Sequence, residues 1–439
     1  MIFQNEKMRN PFPRRHFMKS LGMGALALMS GNFFPRILKA STTIYPPRTR
    51  IPNPFVSSAG KALLVVVRGN DFEKMLKTGL EKIGGLKKMI DNNQSVLIKP
   101  NLNSVDVFPA ISSAESIATL AKTAVAATTG KVIVGDVSFH TTSSVYQHID
   151  LANVLANSGA ELIHFDNTYN VRRSSWSGTR PDYLVYSDVY DAPIIISLAN
   201  IKRHFLARMS TALKNNVGCV AGSGASQSRG YFHGLSGDPF LKEVAEIAGL
   251  INPDLTIVDA RSMLIGNGPF SNMQGAKILE GTNYLIISGD MNAVDHYCAM
   301  LLQGLDATFS SAQIAATLQH AYSLGLGVKD LSEVEIIEAT TDVKDSHGHA
   351  IPNKLELNQN YPNPFNSSTQ IEFKLADNSL AKLNVYDARG RKIDTLLDDE
   401  LFPGEYSLKF DGGNLASGAY FYQLKAGQQL LTKKMTLVR

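Results

Sequence analysis

Val96-Leu97-Ile98-Lys99-Pro100-Asn101 passes from an apolar run directly into a cation, a proline and an amide. A short apolar run without polar alternation reads as a strand covered on both faces, as in the parallel sheets of α/β proteins. Moving outward, Leu63-Leu64-Val65-Val66-Val67, Val132-Ile133-Val134, Ile194-Ile195-Ile196, Leu255-Thr256-Ile257-Val258 and Leu285-Ile286-Ile287 have the same character. Longer stretches with helical spacing separate them, for example 112–128 and 144–157. The alternation predicts an α/β domain with a largely parallel, layered sheet over residues 59–345, large enough to fold unaided.

In that architecture ligands bind beyond the carboxyl ends of the strands. The polar residues just past each run are therefore the candidates. Lys99 and Asn101 follow the first run, and Asp136 follows Val132-Ile133-Val134. Lys202, Arg203 and His204 come after Ile194-Ile195-Ile196, and Asp259 closes the Leu255 run. Arg261 and the loop Gly266-Asn267-Gly268-Pro269 come next. An aspartate after a strand is commonly a cap or turn residue, so the expectation rests on the set. Lys214 lies ten positions beyond His204, and Arg229 and His233 sit in a Gly/Ser-rich stretch, 222–237. Glycine lets a backbone approach an anion closely, although the same composition also makes an ordinary flexible loop. Asp295 lies in a segment that opens a helix, where an acidic residue serves as cap and dipole complement.

Chemistry divides these residues into roles. Lys99, Lys202, Lys214 and Arg229 would hold an anionic ligand. His204 and His233 would move protons or bind metal. Asp136 and Asp259 would orient those bases or bind a cation. His204, Lys214 and His233 are thus the catalytic candidates. Lys99, Asn101, Asp136, Lys202, Arg229, Asp259, Asn267 and Asp295 are the ligand-binding ones. Metal binding stays open. No zinc-type spacing, HExxH helix, Walker loop or GxSxG elbow is present. His140, His148, His164 and His320 show no partner in the sequence, His296 stands beside Asp295, and His347 and His349 fall in the interdomain segment.

From Gln370 the pattern changes. Ile371, Phe373 and Leu375 alternate with polar residues, as do Leu383 and Val385, then Tyr406 and Leu408. Frequent turn signals separate these short runs, which predicts an Ig-like β-sandwich over 355–439. Tyr420, Phe421 and Tyr422 are consecutive, so at least one must face its core. At the other end, Arg14-Arg15-His16-Phe17-Met18-Lys19 precedes a short apolar run from Leu21 to Met29. Residues 1–40 read as a signal peptide, far short of the ~20 apolar residues a membrane span needs. Residues 41–58 read as a linker.

The chain of 439 residues allows two or three domains. Its 43 basic and 39 acidic residues leave too small an excess to point to nucleic acid. Two cysteines, Cys219 and Cys298, exclude an iron–sulfur cluster held by four thiolates of this chain. Whether the two pair stays open.

Several motifs resemble known families. The paired arginines followed by Phe17 and Lys19 resemble a twin-arginine (Tat) export signal, which implies the Tat translocase as partner and export of a folded, often cofactor-loaded, cargo. Residues 355–439 resemble the sorting domain of the type IX secretion system. The matching pieces include Asn360-Tyr361-Pro362-Asn363-Pro364-Phe365-Asn366, Val385-Tyr386-Asp387-Ala388-Arg389-Gly390, Leu415-Ala416-Ser417-Gly418-Ala419-Tyr420-Phe421-Tyr422 and the closing Lys433-Lys434-Met435-Thr436-Leu437-Val438-Arg439. That resemblance implies an outer-membrane translocon and a sorting peptidase as partners, and delivery through the periplasm to the cell surface or beyond. The ordinary reading of such a module is a spacer or a carbohydrate-binding domain.

The middle of the chain resembles the DUF362 family. The resemblance rests on Val96-Leu97-Ile98-Lys99-Pro100-Asn101-Leu102, Val134-Gly135-Asp136, Lys202 with His204, Ala212-Leu213-Lys214-Asn215, Arg229 with His233, Val258-Asp259-Ala260, Gly266-Asn267-Gly268-Pro269 and Ala293-Val294-Asp295. Many relatives carry a ferredoxin-like cluster domain that this chain lacks. The order His204, Lys214 and a later histidine also resembles lactate-racemase-type enzymes, which implies a lysine-tethered nickel–pincer nucleotide with histidine ligands. It points to racemisation, epimerisation or hydride movement on a small hydroxy acid. Two functions are carried forward: an exported enzyme that binds a small anionic substrate or cofactor, and a non-catalytic surface binding protein.

Overall fold

The computed structural model describes residues 43–138, 141–165, 170–177, 182–221, 228–341, 355–375, 379–401, 404–427 and 429–438. The expected signal peptide, the boundary near 346–349 with His347 and His349, and His140 lie outside the described residues. In chain order the strands up to residue 340 are β1 (Ile44–Tyr45), β2 (Ala62–Arg68), β3 (Val96–Lys99), β4 (Val132–Asp136), β5 (Glu161–His164), β6 (Asn170–Arg173) and β7 (Tyr183–Tyr186). They continue as β8 (Ile194–His204), β9 (Arg208–Ser210), β10 (Leu255–Ile265), β11 (Lys277–Leu279), β12 (Tyr284–Ser288) and β13 (Val334–Thr340).

One sheet follows the order β13-β2-β12-β10-β8-β3-β4-β5, with β9 attached to β8 and β11 to β10. The block β10-β8-β3-β4-β5 is parallel throughout, and so is the pair β13–β2. The sheet is largely parallel, as expected; β12 runs antiparallel to both β2 and β10, and the short arms β9 and β11 run antiparallel to their partners. No helix separates β10 from β12, so the chain returns by a turn instead of a crossover, and a turn gives an antiparallel partner. The small sheet β1-β6-β7 lies apart from this path.

Alternation along β2 shows why its run is apolar throughout. Leu64 and Val66 belong to the core on one face, with Phe240, Val244 and Val294. Leu63, Val65 and Val67 belong to the core on the other, with Phe72, Leu76 and Ile117. Helices cover both faces, so the strand has no solvent side. The Phe72–Ile83 helix illustrates the local logic. Asp71 Oδ1 caps it by accepting from Lys74 N at 3.0 Å, and Gly84 ends it in the left-handed region at φ +97°. It buries Phe72, Met75, Leu76, Gly79, Leu80 and Ile83, the stripe of an amphipathic helix. Gly79 permits the contact with the sheet, since a Cβ there would lie 2.6 Å from Ile287 Cδ1.

The expected helix over 112–128 is Ala114–Val125, capped by Ser113. The expected helix over 144–157 is two helices, Thr142–His148 and Leu151–Leu155, because Asp150 adopts φ +50° between them. Residues 43–58, read from composition as linker, are packed on the domain. Arg48 is buried and donates to Asp254 Oδ2 at 2.6 Å and to the carbonyls of Ala192, Pro193 and Asn252. Arg50 donates to the carbonyls of Asp254 and Gly289, and Phe55 is fully buried.

The C-terminal strands are β14 (Glu356–Leu357), β15 (Ser368–Leu375), β16 (Ser379–Asp387), β17 (Lys392–Leu401), β18 (Gly404–Asp411), β19 (Gly418–Ala426) and β20 (Gln429–Leu437). They make two antiparallel sheets, β14-β15-β18 and β17-β16-β19-β20, around Phe365, Ile371, Phe373, Leu383, Tyr422 and Leu424. Tyr420 and Tyr422 turn inward and Phe421 between them is half-buried, as the two-residue strand period requires. The Tyr422 hydroxyl donates to Asn358 O at 2.7 Å and accepts from Asn360 N at 2.8 Å.

Candidate functional site

The parallel strands bring their carboxyl ends to one edge of the sheet, and β8 outruns its neighbours. Lys99, the last residue of β3, is level with Ser197, while β8 continues to His204 before folding back into β9. The overhang carries Lys202 and His204. The short Ala212–Asn215 helix that follows carries Lys214 and Asn215. Lys99 closes β3 and Asp136 closes β4. With Asn101 and His233 these residues line one cavity of about 190 Å³.

Lys99 is buried and ion-paired with Asp136, Nζ to Oδ1 at 2.9 Å. Its other donors go to Pro100 O at 2.7 Å and Asn215 Oδ1 at 3.3 Å. Asp136 also accepts from the backbone N–H groups of Leu102 and Val137. The ion pair leaves no room beside it: a Cβ on Gly218 would lie 2.4 Å from Asp136 Oδ1. Lys202 donates to Asn101 Oδ1 at 2.7 Å, Asn103 Oδ1 at 3.1 Å and Ala110 O. An ammonium has three protons to give. Both buried lysines, when protonated, therefore spend all their donors on the protein.

Burial lowers the Lys202 pKa to about 7, and the cations Lys214 and Lys99 add to the effect. Burial, then Lys214, Lys202 and His233, hold His204 well below its ordinary 6.5, so its imidazole is neutral at pH 7. Nδ1 of His204 accepts from Leu206 N and Ala207 N, both at 3.2 Å. In the neutral ring the proton therefore sits on Nε2, which makes Nε2 a hydrogen-bond donor. The Lys214 ammonium lies 5.3 Å from the centroid of Phe232, a favourable cation–π placement.

Three of the residues expected at the site sit elsewhere. Asp259 is fully buried one strand away on β10, paired with Arg261 at 3.0 Å and accepting from Ser116 Oγ. Its backbone carbonyl accepts from Asn200 Nδ2, whose Oδ1 accepts from Ser112 Oγ, and Asp259 does not line the cavity. Asn267 shapes the turn before Pro269, with Nδ2 donating to Gln274 O at 3.0 Å. Asp295 does not cap its own helix; Asp290 does that, accepting from Ala293 N. The Asp295 carboxylate instead accepts from Ala212 N at 2.8 Å and Leu213 N at 3.3 Å, at the start of the short helix that carries Lys214. Burial raises its pKa to about 7. The Arg229 side chain and residues 222–227 lie outside the described residues.

Sequence reasoning missed Asn103, Phe205, Ser210, Asn215 and Phe270, which also line the cavity. Asn215 is the hub of the group: its Oδ1 accepts from Lys99 and Asn101, and its Nδ2 donates to Ser197 Oγ. Four other histidines serve elsewhere. His148 contacts Asp106 O, His164 packs on Tyr146, His320 pairs with Glu246, and burial lowers the pKa of His296. Cys219 and Cys298 are buried and unpaired, and burial pushes the Cys219 thiol up to about 12. Among the described residues no three His, Cys, Asp or Glu side chains gather as a metal cage, and no helix is long and apolar enough to cross a membrane.

Residues 96–300 match the model of a domain of unknown function, DUF362. Residues 359–438 match the secretion system C-terminal sorting domain. A thylakoid-associated protein of Synechocystis sp. is 28% identical over 235 residues, 52% of this chain and 69% of its own. Two solved structures show remote similarity. PorZ, a surface component of the type IX secretion system of Porphyromonas gingivalis, is 18% identical over 19% of this chain and 11% of its own, at a TM-score of 0.14. The lactate racemase apoprotein of Thermoanaerobacterium thermosaccharolyticum is 13% identical over 55% of this chain and 58% of its own, at a TM-score of 0.33. The chain thus spans less than two thirds of either solved protein, and scores this low establish no common fold. The sorting tail marks the chain for export to the cell surface or for secretion.

Proposed function

With a DUF362 domain at residues 96–300 joined to a sorting domain of the type IX secretion system at 359–438, we propose that the chain is a surface-delivered enzyme acting on a small anion. The observation that carries this reading is the convergence of Lys99, Lys202, Lys214, His204 and His233 on one cavity with, among the described residues, a single lining carboxylate, Asp136, which is already ion-paired. An anion entering there meets the Lys214 ammonium and a Lys202 whose protonation its charge favours, in a partly desolvated space where attraction is far less screened than in water. Lys214 supplies the half-buried charge, and His204 presents an N–H. The chemistry suited to such a pair is proton or hydride movement on a small hydroxy acid. Delivery by way of a Tat-type leader and removal of the tail by a sorting peptidase complete the reading.

The resemblance to lactate-racemase-type enzymes implies a tethered nickel–pincer nucleotide, and the donor set fits it in part. The Lys214 amine and the His233 imidazole would hold such a group. His204 fits a different task, because two backbone N–H groups occupy its Nδ1 and leave the proton on Nε2. It would donate a hydrogen bond to a substrate oxygen and keep that proton. When bound, the group would supply a hydride acceptor.

Calorimetry of the full chain with phosphate and with acetate at low ionic strength tests the reading. Binding of at least one is expected, weakened tenfold or more by Lys214→Met. A native chain that binds neither at millimolar concentration would overturn the proposal.

A further inference from the structure

The cavity has two kinds of wall. Its inner side is polar, made by Lys99, Asn101, Asp136 and Lys202. Apolar lining comes from two neighbouring loops, Phe205 and Leu206 on one and Pro269 and Phe270 on the other. Phe205 is 52% exposed, unusual for a phenyl ring in a segment with ordered contacts on both sides. The segment is held firmly. The Phe205 N–H donates to Gly268 O at 3.0 Å, and the ring stacks on His204 with centroids 5.3 Å apart. Gly268 lies so close to this hairpin that a Cβ would approach Arg203 O to 2.1 Å. The loop carrying Phe270 is anchored in turn, since Ser271 donates from both N and Oγ to Asp106. Two anchored loops therefore hold an aromatic ring, a leucine, a proline and a second aromatic ring around the opening. The space of about 190 Å³ also exceeds what a bare anion fills, since a single water requires only about 10–15 Å³.

We infer that the ligand is an amphiphilic carboxylate, with its acidic group toward Lys214 and His204 and an aromatic or branched apolar body against Phe205 and Phe270. The inference rests on the anion-binding reading above and specifies its substrate class. Apolar walls with a few convergent polar groups are the usual build of a small-molecule site. Here the polar groups fix the charged end and the loops select the body. The rings of Phe205 and Phe270 leave water when such a body binds, which is the source of the selectivity.

Calorimetry of the full chain with acetate and with phenylacetate tests it. The native protein is expected to bind phenylacetate at least tenfold more tightly than acetate, with a more negative heat-capacity change. The ratio is expected to fall severalfold in Phe205→Ala and, separately, in Phe270→Ala. A ratio near one in the native protein, or a ratio unchanged in both variants, would overturn the inference and leave anion binding standing. Failure to bind either carboxylate while phosphate binds would overturn the inference alone, and failure to bind all three anions would overturn both.

Discussion

Lys202 shows how one residue can set the pH response of the site. Its pKa is about 7 in the folded chain against 10.5 for an ordinary lysine. Between those values the unfolded chain holds the extra proton, so this group's contribution to stability rises with pH across that window. A bound anion favours the charged form and raises the pKa, so binding takes up a proton. Anion affinity is therefore expected to fall as pH rises from 7 to 9. Calorimetry in two buffers of different ionisation enthalpy should show proton uptake at pH 8; equal heats in both would remove Lys202 as the source. The sequence made Lys202 a candidate through its place after a strand, but its saturated donors were not legible. They depend on Asn101, Asn103 and Ala110, roughly a hundred positions away in the chain.

At the scale of an element, the Ala212–Asn215 helix delivers both Lys214 and Asn215 and is too short to be stable by itself. Asp295 holds its first turn from a distant helix. Asp295→Ala leaves two buried N–H groups without an acceptor, expected to lower stability by about 1–3 kcal/mol and to weaken anion binding. Asp295→Asn keeps one acceptor and removes the charge. Because the folded pKa of Asp295 is about 7 against an ordinary 3.8, the native state holds the extra proton between those values, and the carboxylate's stability contribution declines as pH rises through them. The Asn variant is therefore expected to lose less stability at pH 8 than at pH 5, measured by urea unfolding; equal losses at the two pH values would show the carboxylate to be charged in the fold throughout. Buried strands such as β3 and β4 were legible because both faces are covered. The overhang of β8 was not, because Lys202 and His204 interrupt its apolar run and its partner β9 is a three-residue hairpin arm.

For the whole molecule, composition misjudged the segment ahead of the first long strand. Pro, Ser and Thr suggested a linker, yet Arg48 and Arg50 fasten residues 48–50 to the carbonyls at 192, 193, 252, 254 and 289. Arg48→Ala leaves Asp254, fully buried, without its cation. The expected loss is about 3–5 kcal/mol in urea unfolding; a change under about 1 kcal/mol would show the strap to be dispensable. Periodicity revealed both kinds of sheet, since a run buried on two faces and a strict two-residue alternation are each written in neighbouring residues. The convergence of Lys99, Asp136, His204, Lys214 and His233 is a product of strand order, and strand order is not local. The two thiols carry a last consequence. Both cysteines of the chain are sealed inside and unpaired, so the fold has no disulfide to form or to lose. Its cross-links are therefore the same, none, in reducing and in oxidising surroundings.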